Sequence, residues 1–272
     1  LEYWQKKGLK LIRLPFKWER LQLDLKGPLN QHDLNKMKEL VRAAEKRDMV
    51  VILDLHNYCR RFMNNEHTLI GNNGLTIEDL ASFWQAIAKE FSTFKNIYGY
   101  GLMNEPHDLA PETKWFDMAQ ASINAIREVD TNTLIMVEQS DTLKFLKDPA
   151  NNLAFEAHVY FDKDASGTYK YSYEEEECYP EKGIDRVKPF VEWIKQNKFH
   201  GFIGEYGIPD NDPRWNETLD LFLGYLQENG INGTYWAAGP WWDTYFMAIT
   251  PKDGKDRPQM PIIEKYTSTL KK

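Results

Sequence analysis

Cysteine is nearly missing from this 272-residue chain, which has only Cys59 and Cys178. Two are too few for a disulfide framework or a thiolate zinc site, and they leave one bridge or two free thiols as the readings. No apolar run approaches the ~20 residues that span a bilayer, so no membrane segment is expected. No block of Lys and Arg forms a phosphate-binding stripe, which argues against nucleic acid as a partner. The net charge of −7 is a modest acidic excess that suits a neutral partner. Gly and Pro are present at ordinary levels, so no stretch reads as disordered. No repeat is visible at periods of 20–50 residues. A signal peptide is lacking, and the chain opens at Leu1 rather than Met, which fits a processed or trimmed product.

Aromatic residues, by contrast, are plentiful at 14%, with nine Trp. Trp is useful for stacking on flat ligands, so a binding cleft and a Trp-rich core are both implied. Short apolar strands alternate with amphipathic helices. Strands are expected over 11–16, 50–56, 97–106, 133–139, 153–161, 201–208 and 233–241. Helices are expected over 33–48, 77–91 and 113–130, and around 185–197 and 215–229. In the first helix Leu34, Met37, Leu40, Val41 and Ala44 fall at helical spacing.

Strict alternation with continuously apolar strands predicts a parallel sheet covered on both faces. The expected fold is α/β, a (β/α)8 TIM barrel forming one catalytic domain over 1–272. Seven strands are visible where eight are needed. The opening EYWQKKGLK reads as the end of a helix, so the first strand is expected to be missing from the N-terminus. An open doubly wound sheet is disfavoured because no Gly-rich turn follows the first visible strand. The run Glu174–Glu177 reads as a solvated loop rather than a metal site.

In a parallel barrel, function collects at the C-terminal strand ends. There stand Arg13, then Asp54-Leu55-His56-Asn57-Tyr58, then Asn104-Glu105-Pro106, His158-Val159-Tyr160, Glu205-Tyr206-Gly207 and Trp236. Charged groups on otherwise apolar strands are unlike plain packing. Alone, either Glu could be a buried salt-bridge partner, and His158 a core histidine. Together Glu105 and Glu205 supply the two carboxyls that glycoside hydrolysis needs, one protonated and one ionised. Repulsion within such a pair keeps a proton on one of them.

Asn104-Glu105-Pro106 after the strand YGYGLM resembles the signature of glycoside hydrolase family 5. Arg13 in RLPF, His56 in DLHNY, His158 and Tyr160 in H-x-Y, Glu205 in GEYG and Trp236 on the last strand match the family's other motifs. The likeness runs from about Tyr3 to about Tyr266. The segments 14–22, 102–108 and 234–242 look nearest to bacterial and fungal endoglucanases.

The resemblance implies a secreted, monomeric, retaining endo-β-1,4-glucanase that acts on β-glucan and needs no metal or organic cofactor. It implies Glu105 as acid/base, Glu205 as nucleophile and Asn104 on the sugar 2-hydroxyl. Arg13 and Tyr160 would hold the nucleophile ionised. His56 would line the donor sugar, His158 would line the acid/base, and Trp236 would form the platform. Trp18, Tyr58, Trp241 and Trp242 are candidates to extend the cleft, each with loop packing as its other reading. His32, His67, His107 and His200 have no such context. The same residues would serve a β-mannanase, xyloglucanase or mixed-linkage glucanase, and a non-catalytic glycan-binding barrel also stays open. A lyase or aldolase would need a strand-end Schiff-base lysine or a phosphate-binding Gly loop, and neither is found.

Overall fold

The computed structural model describes residues 1–138 and 141–267. The chain divides into two compact units, Leu1–Glu2 with Leu11–Phe155, and Tyr3–Lys10 with Glu156–Lys272. It opens on a short helix, α1 (Glu2–Lys6).

The first unit continues with β1 (Leu11–Phe16), α2 (Trp18–Leu21), α3 (Gln31–Glu45) and β2 (Val50–Leu55). Then come β3 (Arg60–Met63), β4 (Glu66–Leu69), α4 (Ile77–Phe91), β5 (Ile97–Gly101), α5 (Trp115–Arg127) and β6 (Leu134–Glu138). Strand β7 (Leu153–His158) begins in this unit. The sheet order here is β1-β2-β5-β6, and these neighbours pair in parallel. Helix α3 starts where the Asn30 side chain accepts the His32 N–H at 3.1 Å. It buries Leu34, Met37, Val41 and Ala44, one stripe at helical spacing. A capping box between Thr76 and Asp79 opens α4. Trp84 of α4 donates its Nε1–H to the Leu102 carbonyl at 3.0 Å, tying that helix to the residue just beyond β5.

The second unit holds the rest of β7, α6 (Lys182–Asn197), β8 (His200–Tyr206), α7 (Arg214–Glu228), β9 (Asn232–Tyr235) and α8 (Met260–Glu264). Strands β8 and β9 pair in parallel. Trp215, Phe161 and Phe222 are buried core side chains, with the Tyr169 and Tyr173 rings edge-on to Trp215.

The main-sheet strands sit where the apolar runs put them, but several end early. The expected 97–106 strand stops at Gly101 and the expected 233–241 strand at Tyr235, because the chain turns into site-bearing loops. Gln139, the last residue of the expected 133–139 strand, lies outside the described residues. Two expectations need correcting. Strands β3 and β4 form an antiparallel hairpin that breaks the strict alternation. The Glu174–Glu177 run is not wholly solvated, because Glu176 is buried. Its carboxylate accepts the backbone N–H of Lys163 at 2.8 Å and of Tyr171 at 2.9 Å, fastening the loop after β7.

Candidate active site

The first unit carries a chain of polar side chains at its strand ends. Arg13 of β1 donates through Nη2 to Asp54 Oδ1 at 3.0 Å and to Asn104 Oδ1 at 2.6 Å. Asp54, at the end of β2, is fully buried and its other oxygen lies 2.8 Å from His56 Nδ1. A buried carboxylate there favours the tautomer with the proton on Nδ1. The Asn104 N–H donates to the Leu55 carbonyl at 2.8 Å, so the backbone past β5 is pinned to β2.

Glu105 has a backbone φ of 43°, a left-handed conformation that non-glycine residues seldom adopt. The following Pro106 further disfavours helical geometry at this residue. Such backbone strain costs on the order of 1–3 kcal/mol and collects at functional sites. A specific bond supports it: the Glu105 N–H donates to Glu138 Oε2 at 2.6 Å.

Beyond His56, the Tyr58 ring lies edge-on to His56 at 5.3 Å and to His107 at 5.7 Å, with Lys17 Nζ 5.0 Å above it. Arg60 Nη2 donates to the His107 carbonyl at 3.0 Å. Burial lowers the Lys17 pKa below the usual lysine value.

In the second unit Glu205, near the end of β8, is 5% exposed. Tyr160 donates its O–H to Glu205 Oε2 at 2.7 Å. His158 lies between two carboxylates, with Nδ1 3.7 Å from Glu205 Oε2 and Nε2 3.6 Å from Glu156 Oε1. Those separations are electrostatic contacts, longer than hydrogen bonds. Gly204 makes the arrangement possible, since a Cβ there would meet Glu156 Oε1 and His158 Nε2 at 2.8 Å each. Trp236 is half-buried, its ring 5.2 Å from Trp242, which in turn lies 4.9 Å from Tyr245. The Trp236–Ala237 peptide is cis. Burial, with the Glu205 charge, pushes the Tyr245 phenol up to about 12, against a hydrogen bond with Trp236 that lowers it.

Among the sequence-derived candidates, the first unit gathers Arg13, His56, Tyr58, Asn104 and Glu105, and the second gathers His158, Tyr160, Glu205, Trp236 and Trp242. Trp18 must be withdrawn as a substrate contact. It is 0% exposed, stacked on Phe83 at 5.3 Å, and its Nε1–H is bound to Gln22 at 3.0 Å. Trp241 stands 88% exposed. Asp54, Glu138, Glu156 and Tyr245 were not singled out. Glu138 ends β6, the one strand end left out of the sequence reading, so the strand-end rule itself would have found it. Asp54 and Glu156 stand two residues before His56 and His158, a spacing that puts both members of each pair on one face. Cys59 is buried and Cys178 half-buried, both as free thiols.

Parallel strands with catalytic-type side chains at their ends fit the class of (β/α)8-barrel enzymes, and the comparisons settle that class. The family model for cellulase (glycosyl hydrolase family 5) matches residues 1–241. Endo-beta-1,4-glucanase B of Emericella nidulans is 32% identical over 265 residues, covering 91% of this chain and 76% of that protein. Among solved structures, Pseudomonas stutzeri endoglucanase Cel5A in complex with cellobiose aligns with a TM-score of 0.89 and 40% identity, covering 98% of this chain and 82% of that one. XacCel5A in complex with cellopentaose aligns with a TM-score of 0.87 and 38% identity, covering 97% and 88%. The chain belongs to glycosyl hydrolase family 5, has the (β/α)8-barrel fold, and is a glycoside hydrolase.

Proposed function

We propose that this protein is a secreted, monomeric, retaining endo-β-1,4-glucanase in which Glu205 is the nucleophile and Glu105 the acid/base. The observation that carries the reading is the 2.7 Å bond from Tyr160 to the buried Glu205 carboxylate. A buried carboxylate must be hydrogen-bonded to stay ionised, and a phenol donating to one oxygen leaves the other to attack the anomeric carbon. Glu105 protonates the leaving oxygen, and the same residue then activates the water that cleaves the glycosyl-enzyme.

Asn104 contacts the sugar 2-hydroxyl through its amide nitrogen. Arg13 donates to the amide oxygen and so sets which end of the amide is presented. Asp54 does the same for the His56 ring, directing Nε2 to a sugar hydroxyl. Trp236 stacks beneath the donor sugar, and Tyr58, Trp241 and Trp242 extend the chain-binding surface. A polymeric glucan is too large to cross a membrane unaided, which supports an extracellular site of action. No helix among the described residues is long and apolar enough to cross a membrane.

The test is a panel of carboxymethylcellulose, mannan, xyloglucan and mixed-linkage glucan, with proton NMR of the freshly released ends. Highest turnover on β-1,4-glucan with the β-anomer appearing first is expected. Glu205→Gln and Glu105→Gln should lose most activity with unchanged circular dichroism. Turnover near the parent level in either variant would refute the assignment.

A further inference from the structure

We propose that Arg257 and Gln259 are positioning residues that hold the Trp236–Trp242–Tyr245 aromatic wall against the strand end carrying Glu205; the inference rests on the glucanase reading above. Both precede α8, and neither belongs to a strand-end motif. Arg257 is 7% exposed and Gln259 0%. Polar side chains buried this far need partners, and theirs are revealing.

Arg257 Nη2 donates to the Tyr245 carbonyl at 3.1 Å and pairs with Asp210 Oδ2 at 2.7 Å. Gln259 Nε2 donates to the Ile208 carbonyl at 3.1 Å and to the Phe246 carbonyl at 3.3 Å. Each side chain therefore spans the same two segments. One, residues 207–210, continues directly from Glu205. The other, residues 245–246, continues the ring series Trp236, Trp242, Tyr245 and Phe246. Tyr235 reinforces the join, its hydroxyl exchanging bonds with both the N–H and the carbonyl of Ile208 at 3.1 Å.

The strand end also runs tight against the backbone of Trp236, since a Cβ on Gly207 would meet the Trp236 carbonyl at 2.4 Å. The fit leaves Arg257 Nε and Gln259 Oε1 buried without a partner among the described residues. The carbonyls of a loop outside any helix or strand have no ladder to fix them. The Tyr245 carbonyl takes the Ala248 N–H at 2.9 Å, a bond local to its own turn; the two buried side chains tie that turn to the strand end, and they set how far the Trp236 and Tyr245 rings stand from the Glu205 carboxylate.

The experiment compares Arg257→Met, Arg257→Lys, Gln259→Met and Asp210→Asn in the full chain. Cellobiose affinity is read by tryptophan fluorescence and KM and kcat on an aryl cellobioside, at a temperature well below every variant's melting point. Arg257→Met and Gln259→Met should each weaken cellobiose binding by about tenfold, with KM rising more than kcat falls, since a misplaced wall loses binding geometry. Arg257→Lys should recover part of the loss by keeping the charge beside Asp210. Lower melting points with parental affinity and KM would overturn the proposal, as the residues would then only stabilise the fold. If Arg257→Met does not fold, Gln259→Met and Asp210→Asn decide on the same terms. Should the parent bind cellobiose but hydrolyse no glucan, the functional reading falls and the affinities alone judge the wall.

Discussion

The backbone N–H of Glu105 is held by Oε2 of Glu138 at 2.6 Å, so one glutamate fixes the main chain of another. The bond falls at a left-handed φ of 43°. A hydrogen bond to a charged acceptor contributes about 1.5–3 kcal/mol. Glu138→Ala should therefore release Glu105 and lower kcat by roughly tenfold to a hundredfold. Glu138→Gln, which keeps an amide oxygen, should lose less. Equal rates in parent and Glu138→Ala would show that this bond does not set the position of Glu105.

Tyr160→Phe removes the donor to Glu205 while keeping the ring. By the same arithmetic kcat should drop by about tenfold to a hundredfold, with KM nearly unchanged. Steady-state kinetics on soluble cello-oligosaccharides checks this, and an unaltered kcat would count against Glu205 as the nucleophile.

Acid stability should depend on the Arg127–Asp148 pair, whose side chains are 4% and 1% exposed. Burial alone would raise the Asp148 pKa, but the bonds from Arg127, Asn152 and Ala150 outweigh it and hold the carboxyl below its usual value. A depressed folded pKa gives stability that is present above the unfolded value of about 3.9 and is lost as the pH falls through the folded value. Asp148→Asn should cost about 3–5 kcal/mol near neutrality, because Arg127 is left buried and unpaired. Urea melts at several pH values should show the gap from the parent narrowing below about pH 4. A gap independent of pH would rule the linkage out.

Two tryptophans should respond in opposite ways. Trp18→Ala empties a core position and should destabilise by about 3–5 kcal/mol. Trp241→Ala, at an exposed position, should change stability by no more than about 0.5 kcal/mol while weakening binding of long cello-oligosaccharides. Thermal melts paired with binding titrations separate the two, and a large loss of stability in Trp241→Ala would contradict its exposure.

The legible part of this protein was the part governed by hydrophobic patterning. Buried parallel strands such as Val50–Leu55 are apolar on both faces and announce themselves. The hairpin Arg60–Leu69 did not, because its strands RRFM and EHTL are mostly polar and lie over the surface. Its signal was the turn, where Asn64 and Asn65 both take positive φ. Trp18 misled for a related reason. Its position after a strand end suggested the mouth, and sequence spacing does not reveal that Phe83 from α4 stacks on it. Asp54 and Glu156, which touch other functional residues, were hard to single out because their roles exist only through tertiary partners. Arg257 and Gln259 lie still further from any motif.

One carboxylate, that of Asp162, receives the backbone N–H groups of Gly167, Thr168 and Tyr169 and the hydroxyl of Ser166. The loop it gathers has no ladder of its own, yet Asp162 is 1% exposed. Tyr169, at the loop's end, donates its hydroxyl to the Gly207 carbonyl at 2.6 Å, two residues beyond Glu205. In deuterium, these three amides should exchange on the timescale of strand amides rather than of a surface turn, reporting on a stretch of chain whose order is set when the protein folds.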